Sequence, residues 1–85
     1  IKFLQEKNVK VYAAYLDGSE VYDEMDYRGG SAFVIGNEGN GLTRETALAA
    51  DARVRIPMAG RLESLNAGIS AALLVYEAAR QRRVL

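Results

Sequence analysis

The sequence predicts a parallel α/β domain, a sheet of short strands flanked by helices. Two apolar runs, residues 9–16 and 31–35, each end in turn-forming residues. A third run, residues 53–56, is stopped by Pro57. Helical patterns fall between the second and third runs and again after the third, and a helical crossover is what parallel strands need.

Residues 1–7 predict the end of a helix, with Asn8 as its C-terminal cap. Residues 9–16 predict a strand, with Val9, Val11, Ala13 and Tyr15 on one face. Asp17-Gly18 is a turn signal. Residues 19–26 are acidic and aromatic and predict a loop with one short helical turn, ended by Arg28-Gly29-Gly30. Residues 31–35 predict a second strand, apolar on both faces as a central parallel strand is. Thr43 predicts the N-cap of a short helix over residues 44–50, with Glu45 in its first turn. The third strand, Arg-Val-Arg-Ile, follows.

Residues 66–82 predict one long helix, with Leu65, Ile69, Ala72, Leu73 and Tyr76 at helical spacing. Ala67, Ala71, Leu74, Val75, Ala78 and Ala79 carry the apolar surface round most of the circumference. Such a helix buries more than one side. One side packs on the sheet; the other is expected to meet a second copy of the chain, giving a homodimer.

Composition narrows the chemistry. Eighty-five residues make one small domain with a marginal core. There is no cysteine, which excludes disulfides and thiolate metal sites and fits a reducing cytosol, so a cytoplasmic location is expected. There is no histidine, the commonest general base and metal ligand, and no metal is expected. The longest apolar run is too short to span a bilayer, so no membrane partner is expected. Eleven basic and eleven acidic residues cancel, but unevenly. Glu20, Asp23, Glu24 and Asp26 form an acidic patch, whereas Arg53, Arg55, Arg61, Arg80, Arg82 and Arg83 lie in the second half, where composition alone favours a solvated surface.

Two loops carry the functional signal. The run Phe33-Val34-Ile35 leads into Gly36-Asn37-Glu38-Gly39-Asn40-Gly41-Leu42, a turn whose three glycines admit a ligand close to the backbone. Its spacing fits neither the dinucleotide-binding nor the P-loop pattern. Glu38 places a carboxylate in this turn, where it needs hydrogen-bond partners. It serves either as a turn-stabilising acceptor or as an orienter of a reacting group. About twenty residues on, Ile56-Pro57-Met58-Ala59-Gly60-Arg61-Leu62-Glu63-Ser64-Leu65-Asn66 reads as a strand end, a loop and a helix start that Ser64 or Asn66 can cap. Two such loops at strand ends of an α/β sheet describe a ligand pocket.

In this order and spacing, Gly-Asn-Glu-Gly-x-Gly-Leu and Ile-Pro-Met-x-Gly-x-x-Glu-Ser-Leu-Asn resemble motifs 2 and 3 of the SpoU (TrmH-type) branch of the SPOUT RNA methyltransferases. The likeness runs from about Asn8 to the C-terminus. It implies a C-terminal trefoil knot, S-adenosyl-L-methionine as cofactor and methylation of a ribose 2′-hydroxyl in tRNA or rRNA. It also implies cofactor contacts at Gly36, Asn37, Gly39, Ile56, Pro57, Met58, Leu65 and Asn66, largely through backbone groups, and catalytic positioning by Glu38, Ser64 and Asn66. The family's first motif, with an asparagine and an arginine assigned to ribose deprotonation, has no match before residue 9, and Arg28, Arg44 and Arg61 do not replace it. Residues 1–85 are therefore expected to be the C-terminal portion of such a domain, inactive by itself. The competing expectations are a dimerisation or RNA-binding module that kept the fold and lost the chemistry, and an unrelated α/β fragment whose loops imitate the motifs.

Overall fold

The computed structural model describes residues 1–15, 19–36, 42–57 and 67–83. A short helix α1 (Lys2–Glu6) leads into strand β1 (Lys10–Ala14). A two-residue strand β2 (Glu20–Val21) and a single 3-10 turn (Tyr22–Glu24) come next. Then follow β3 (Ser31–Val34), α2 (Arg44–Ala49), β4 (Ala52–Arg55) and the long helix α3 (Ala67–Arg82). All strand pairs are parallel, in the order β2-β4-β1-β3.

The sheet is covered on both faces. On one, Tyr12, Tyr27, Val54, Leu74 and Ala78 form a core that Phe33, Ile35 and Ile56 extend. Tyr12, Tyr27 and Phe33 meet ring to ring there, with Tyr12 and Tyr27 edge-on at 4.9 Å. Burial pushes the Tyr27 phenol well above its ordinary range, and its hydroxyl donates to the Tyr22 carbonyl. On the other face Val11, Ala13, Ala47 and Ala50 pack with Leu4, Tyr15, Ala32, Val34 and Leu42, beneath α1 and α2. Period-two alternation along β1 thus feeds two cores.

Local signals hold where side chains act on their own backbone. Thr43 Oγ1 accepts the Thr46 amide at 3.2 Å, the expected N-cap of α2. Asn8 takes φ 63° just past α1, a left-handed stop that asparagine tolerates better than most residues.

Three expectations need correction. Residues 19–26 hold a strand as well as the helical turn: β2 pairs Glu20 with Val54 and Val21 with Arg55, too short to show as an apolar run. The second predicted strand, β3, is apolar on both faces yet is not central. It pairs with β1 alone among the described residues, and β4 and β1 are the inner strands. Its apolarity reflects cover by both helical layers.

Which side of the last helix meets the sheet, left open by its apolar circumference, is settled by the structure. Ile69 and Tyr76 are 53% and 70% exposed, while Leu74, Glu77 and Ala78 are buried. Polar groups turn the helix this way. Gln81 accepts from the Tyr27 amide at 2.7 Å and donates to the Met25 carbonyl and to Glu77, both at 2.8 Å. Arg82 donates to the carbonyls of Tyr27 at 3.0 Å and Gly29 at 2.6 Å. Finally, the arginines are not a merely solvated set. Arg53, Arg55 and Arg82 hold backbone carbonyls, and Arg80 pairs with Glu77 at 2.7 Å.

Candidate functional site

The parallel sheet sends the exits of β3 and β4 to the same end. Val34 of β3 and Arg53 of β4 both pair with Ala13 of β1, so one strand separates the two exits. Two strand spacings put them about 10 Å apart. Gly36 and Ile56-Pro57, three of the residues singled out in the sequence, lie at this end; Gly36 and Ile56 are half-buried and Pro57 is exposed. Asn37, Glu38, Gly39, Met58, Ser64, Leu65 and Asn66 lie outside the described residues.

Sequence reasoning passed over the residue between them. The Tyr15 amide donates to the Val54 carbonyl at 3.0 Å, which carries the β1–β4 pairing one step past Ala14. Continuing the register sets Tyr15 between Gly36 and Arg55, half-buried, its side chain packed toward the α1 and α2 face. The available signal was position: Tyr15 ends the central strand at the end of the sheet where ligands of open α/β folds bind.

Arg55 is the second such residue. Its guanidinium donates to the Ser19 carbonyl, and Nη1 also lies 3.4 Å from Ser19 Oγ. The described part of the site otherwise offers backbone and apolar groups: Ile35, Gly36, Ile56 and Pro57.

The strongly ionised groups lie elsewhere. Asp26 hydrogen-bonds Arg28 at 3.0 Å, which holds its carboxyl at about 2. Its residue is tied to the opposite end of the sheet, where Lys10 N donates to the Gly30 carbonyl as β1 and β3 begin. Arg28 is thereby committed away from the site, and Arg44 starts α2 on the surface. Arg61 lies outside the described residues.

Comparison with known proteins agrees with this arrangement. The profile of the SpoU rRNA Methylase family matches residues 1–76. A Mycobacterium sp. (strain KMS) protein described as an uncharacterised tRNA/rRNA methyltransferase is 42% identical over 83 residues, which are 98% of this chain and 26% of that protein. A tRNA (guanosine(18)-2′-O)-methyltransferase of Thermus thermophilus is 38% identical over 82 residues, 95% of this chain and 42% of that enzyme. The chain thus spans well under half the length of these relatives. The crystal structure of an AdoMet-bound rRNA methyltransferase from Sinorhizobium meliloti superposes with a TM-score of 0.85 at 37% identity, over 98% of this chain and 33% of that one. By sequence and by fold, the chain belongs to the SpoU rRNA methylase family.

Proposed function

We propose that residues 1–85 are the C-terminal, cofactor-binding portion of an S-adenosyl-L-methionine-dependent methyltransferase acting on a ribose 2′-hydroxyl of tRNA or rRNA. One observation carries the reading: the strands that lead into the two family motifs leave the sheet at the same end, on either side of β1. When bound there, S-adenosyl-L-methionine supplies an electrophilic methyl group. This chain's part is to hold and orient. Gly36, Asn37, Gly39, Ile56, Pro57, Met58, Leu65 and Asn66 form the cofactor cradle. Glu38, Ser64 and Asn66 position the reacting groups. On this reading the proton acceptor comes from the family's first motif, which has no match in these residues.

The same reading includes a C-terminal trefoil knot, a cytoplasmic enzyme and a homodimer. The support for the dimer is the outer face of α3, where Ile69, Ala72, Val75, Tyr76 and Ala79 are all exposed. Membrane association draws no support: among the described residues no helix is long and apolar enough to cross a bilayer.

The test is methyl transfer from labelled cofactor to bulk tRNA and rRNA, using the parent protein with and without Asn66→Ala. The expected result is 2′-O-methylation by the parent and a loss on the order of 100-fold in the variant. Its melting temperature should fall only by the equivalent of a lost cap, about 1 kcal/mol. Wild-type transfer alongside a lowered melting temperature would reduce Asn66 to a helix cap. A parent that binds the cofactor but modifies no RNA would establish the non-catalytic module instead.

A further inference from the structure

We propose that Arg55 is a positioning residue for the candidate cofactor site, fixing the point at which the chain re-enters the sheet beside Ile56 and Pro57. This rests on the cofactor reading above.

The topology creates the need. β4 lies between β1 and β2, so Tyr15 beyond β1 and Ser19 before β2 stand on opposite sides of β4. β2 is two residues long, and its ladder is confined to Glu20 with Val54 and Val21 with Arg55. Arg55 reinforces that ladder from the side. Its backbone pairs with Val21, its guanidinium donates to the Ser19 carbonyl, and its next neighbour, Ile56, is the first site residue past the end of β4. One residue therefore couples the arrival of β2 to the departure of β4. One nitrogen of the guanidinium, Nη1, reaches both the Ser19 carbonyl and Ser19 Oγ.

Arg53 provides an internal control. It stands two positions earlier, on the same face of the same strand. Its Nη1 donates to the Ala47 carbonyl at 3.1 Å and lies 3.5 Å from that of Ala50, closing the end of α2. Residue type, strand and face are shared; proximity to the site is not.

The experiment compares wild type, Arg55→Gln, Arg55→Lys and Arg53→Gln in the parent protein. Amide hydrogen exchange is read by mass spectrometry over residues 19–25, and affinity by calorimetric titration with S-adenosyl-L-methionine. Arg55→Gln should speed exchange over residues 19–22 about 10-fold and weaken binding about 5-fold, with Arg55→Lys between it and wild type. Arg53→Gln should lower the melting temperature and leave both readouts as they are. If Arg55→Gln does not fold, Arg55→Lys against wild type carries the comparison. Unchanged exchange in the Arg55 variants overturns the proposal. So does faster exchange with unchanged affinity, which would make Arg55 a structural tie only. A wild-type parent protein that binds no cofactor counts against the cofactor reading. Faster exchange without any cofactor binding leaves Arg55 a structural tie only, so the proposal then falls together with the reading on which it rests.

Discussion

Protonating Glu77 should remove a definite share of the stability of the fold. This carboxyl is buried in α3, where Arg80 and Gln81 both hydrogen-bond it. Those bonds, Arg80 first and Gln81 second, hold it at about 2, below the 4.5 of a free side chain. Taken at face value, a drop of roughly 2.5 units is worth about 3 kcal/mol. The Arg80 side chain is 52% exposed, so water screens the pair and about 1–2 kcal/mol is the better figure. A lowered carboxyl stabilises the folded state above its unfolded value and loses that contribution as pH falls toward the folded one. The window therefore runs from 4.5 down to about 2. Urea unfolding of wild type and Glu77→Gln across this range measures it. The variant should be less stable by about 1–2 kcal/mol at neutral pH, and most of the gap should close by about pH 2.5. Asp26, also held at about 2, titrates in both chains and cancels in the difference. A gap as wide in acid as at neutrality would refute the assignment of this stability to the Glu77 charge.

Thr43→Ala should cost about 1 kcal/mol in chemical denaturation through loss of the α2 cap, and Thr43→Ser should restore most of it. Asn8→Gly should leave stability within a few tenths of a kcal/mol, whereas Asn8→Val should cost about 1–2 kcal/mol, because φ 63° strains a β-branched residue. Tyr76→Glu on the exposed face of α3 should turn a dimeric parent protein into a monomer in sedimentation and leave its helix content unchanged.

The sequence was most legible where a residue's role is local. Thr43 and Asn8 act on neighbouring backbone, so their parts in α2 and α1 followed from chemistry and spacing. Runs of apolar residues located β1 and β3, and the alternation Arg-Val-Arg-Ile before Pro57 located β4, each to within a residue or two. Partner-dependent features were not legible. β2 exists because β4 offers it a ladder, and nothing in Glu20-Val21 announces that partner. The buried side of α3 was not legible, because Glu77 and Gln81 look like surface residues in a sequence. Gln81 is satisfied by the Tyr27 amide and the Met25 carbonyl, and Glu77 by Arg80 and Gln81. At the site, the two motif-bearing loops were evident from their residues. Tyr15 and Arg55 were not, because their place follows from strand register.

The strand order also governs how the chain acquires its shape. No two strands consecutive in sequence are neighbours in the sheet. Lys10 waits for Ser31, Tyr12 for Ala52, and Glu20 for Val54. Every pairing closes a long loop before it gains a contact, the arrangement that makes folding slow for a domain of this size. On a ribosome, which issues the chain from its N-terminus, β1 and β2 emerge with nothing to pair with each other. The first ladder waits for β3, and the two inner strands meet only once β4 is out. Until then the Val11, Tyr12 and Ala13 side chains lack the cover that the later elements of this chain give them, an interval in which a future core surface can stick elsewhere.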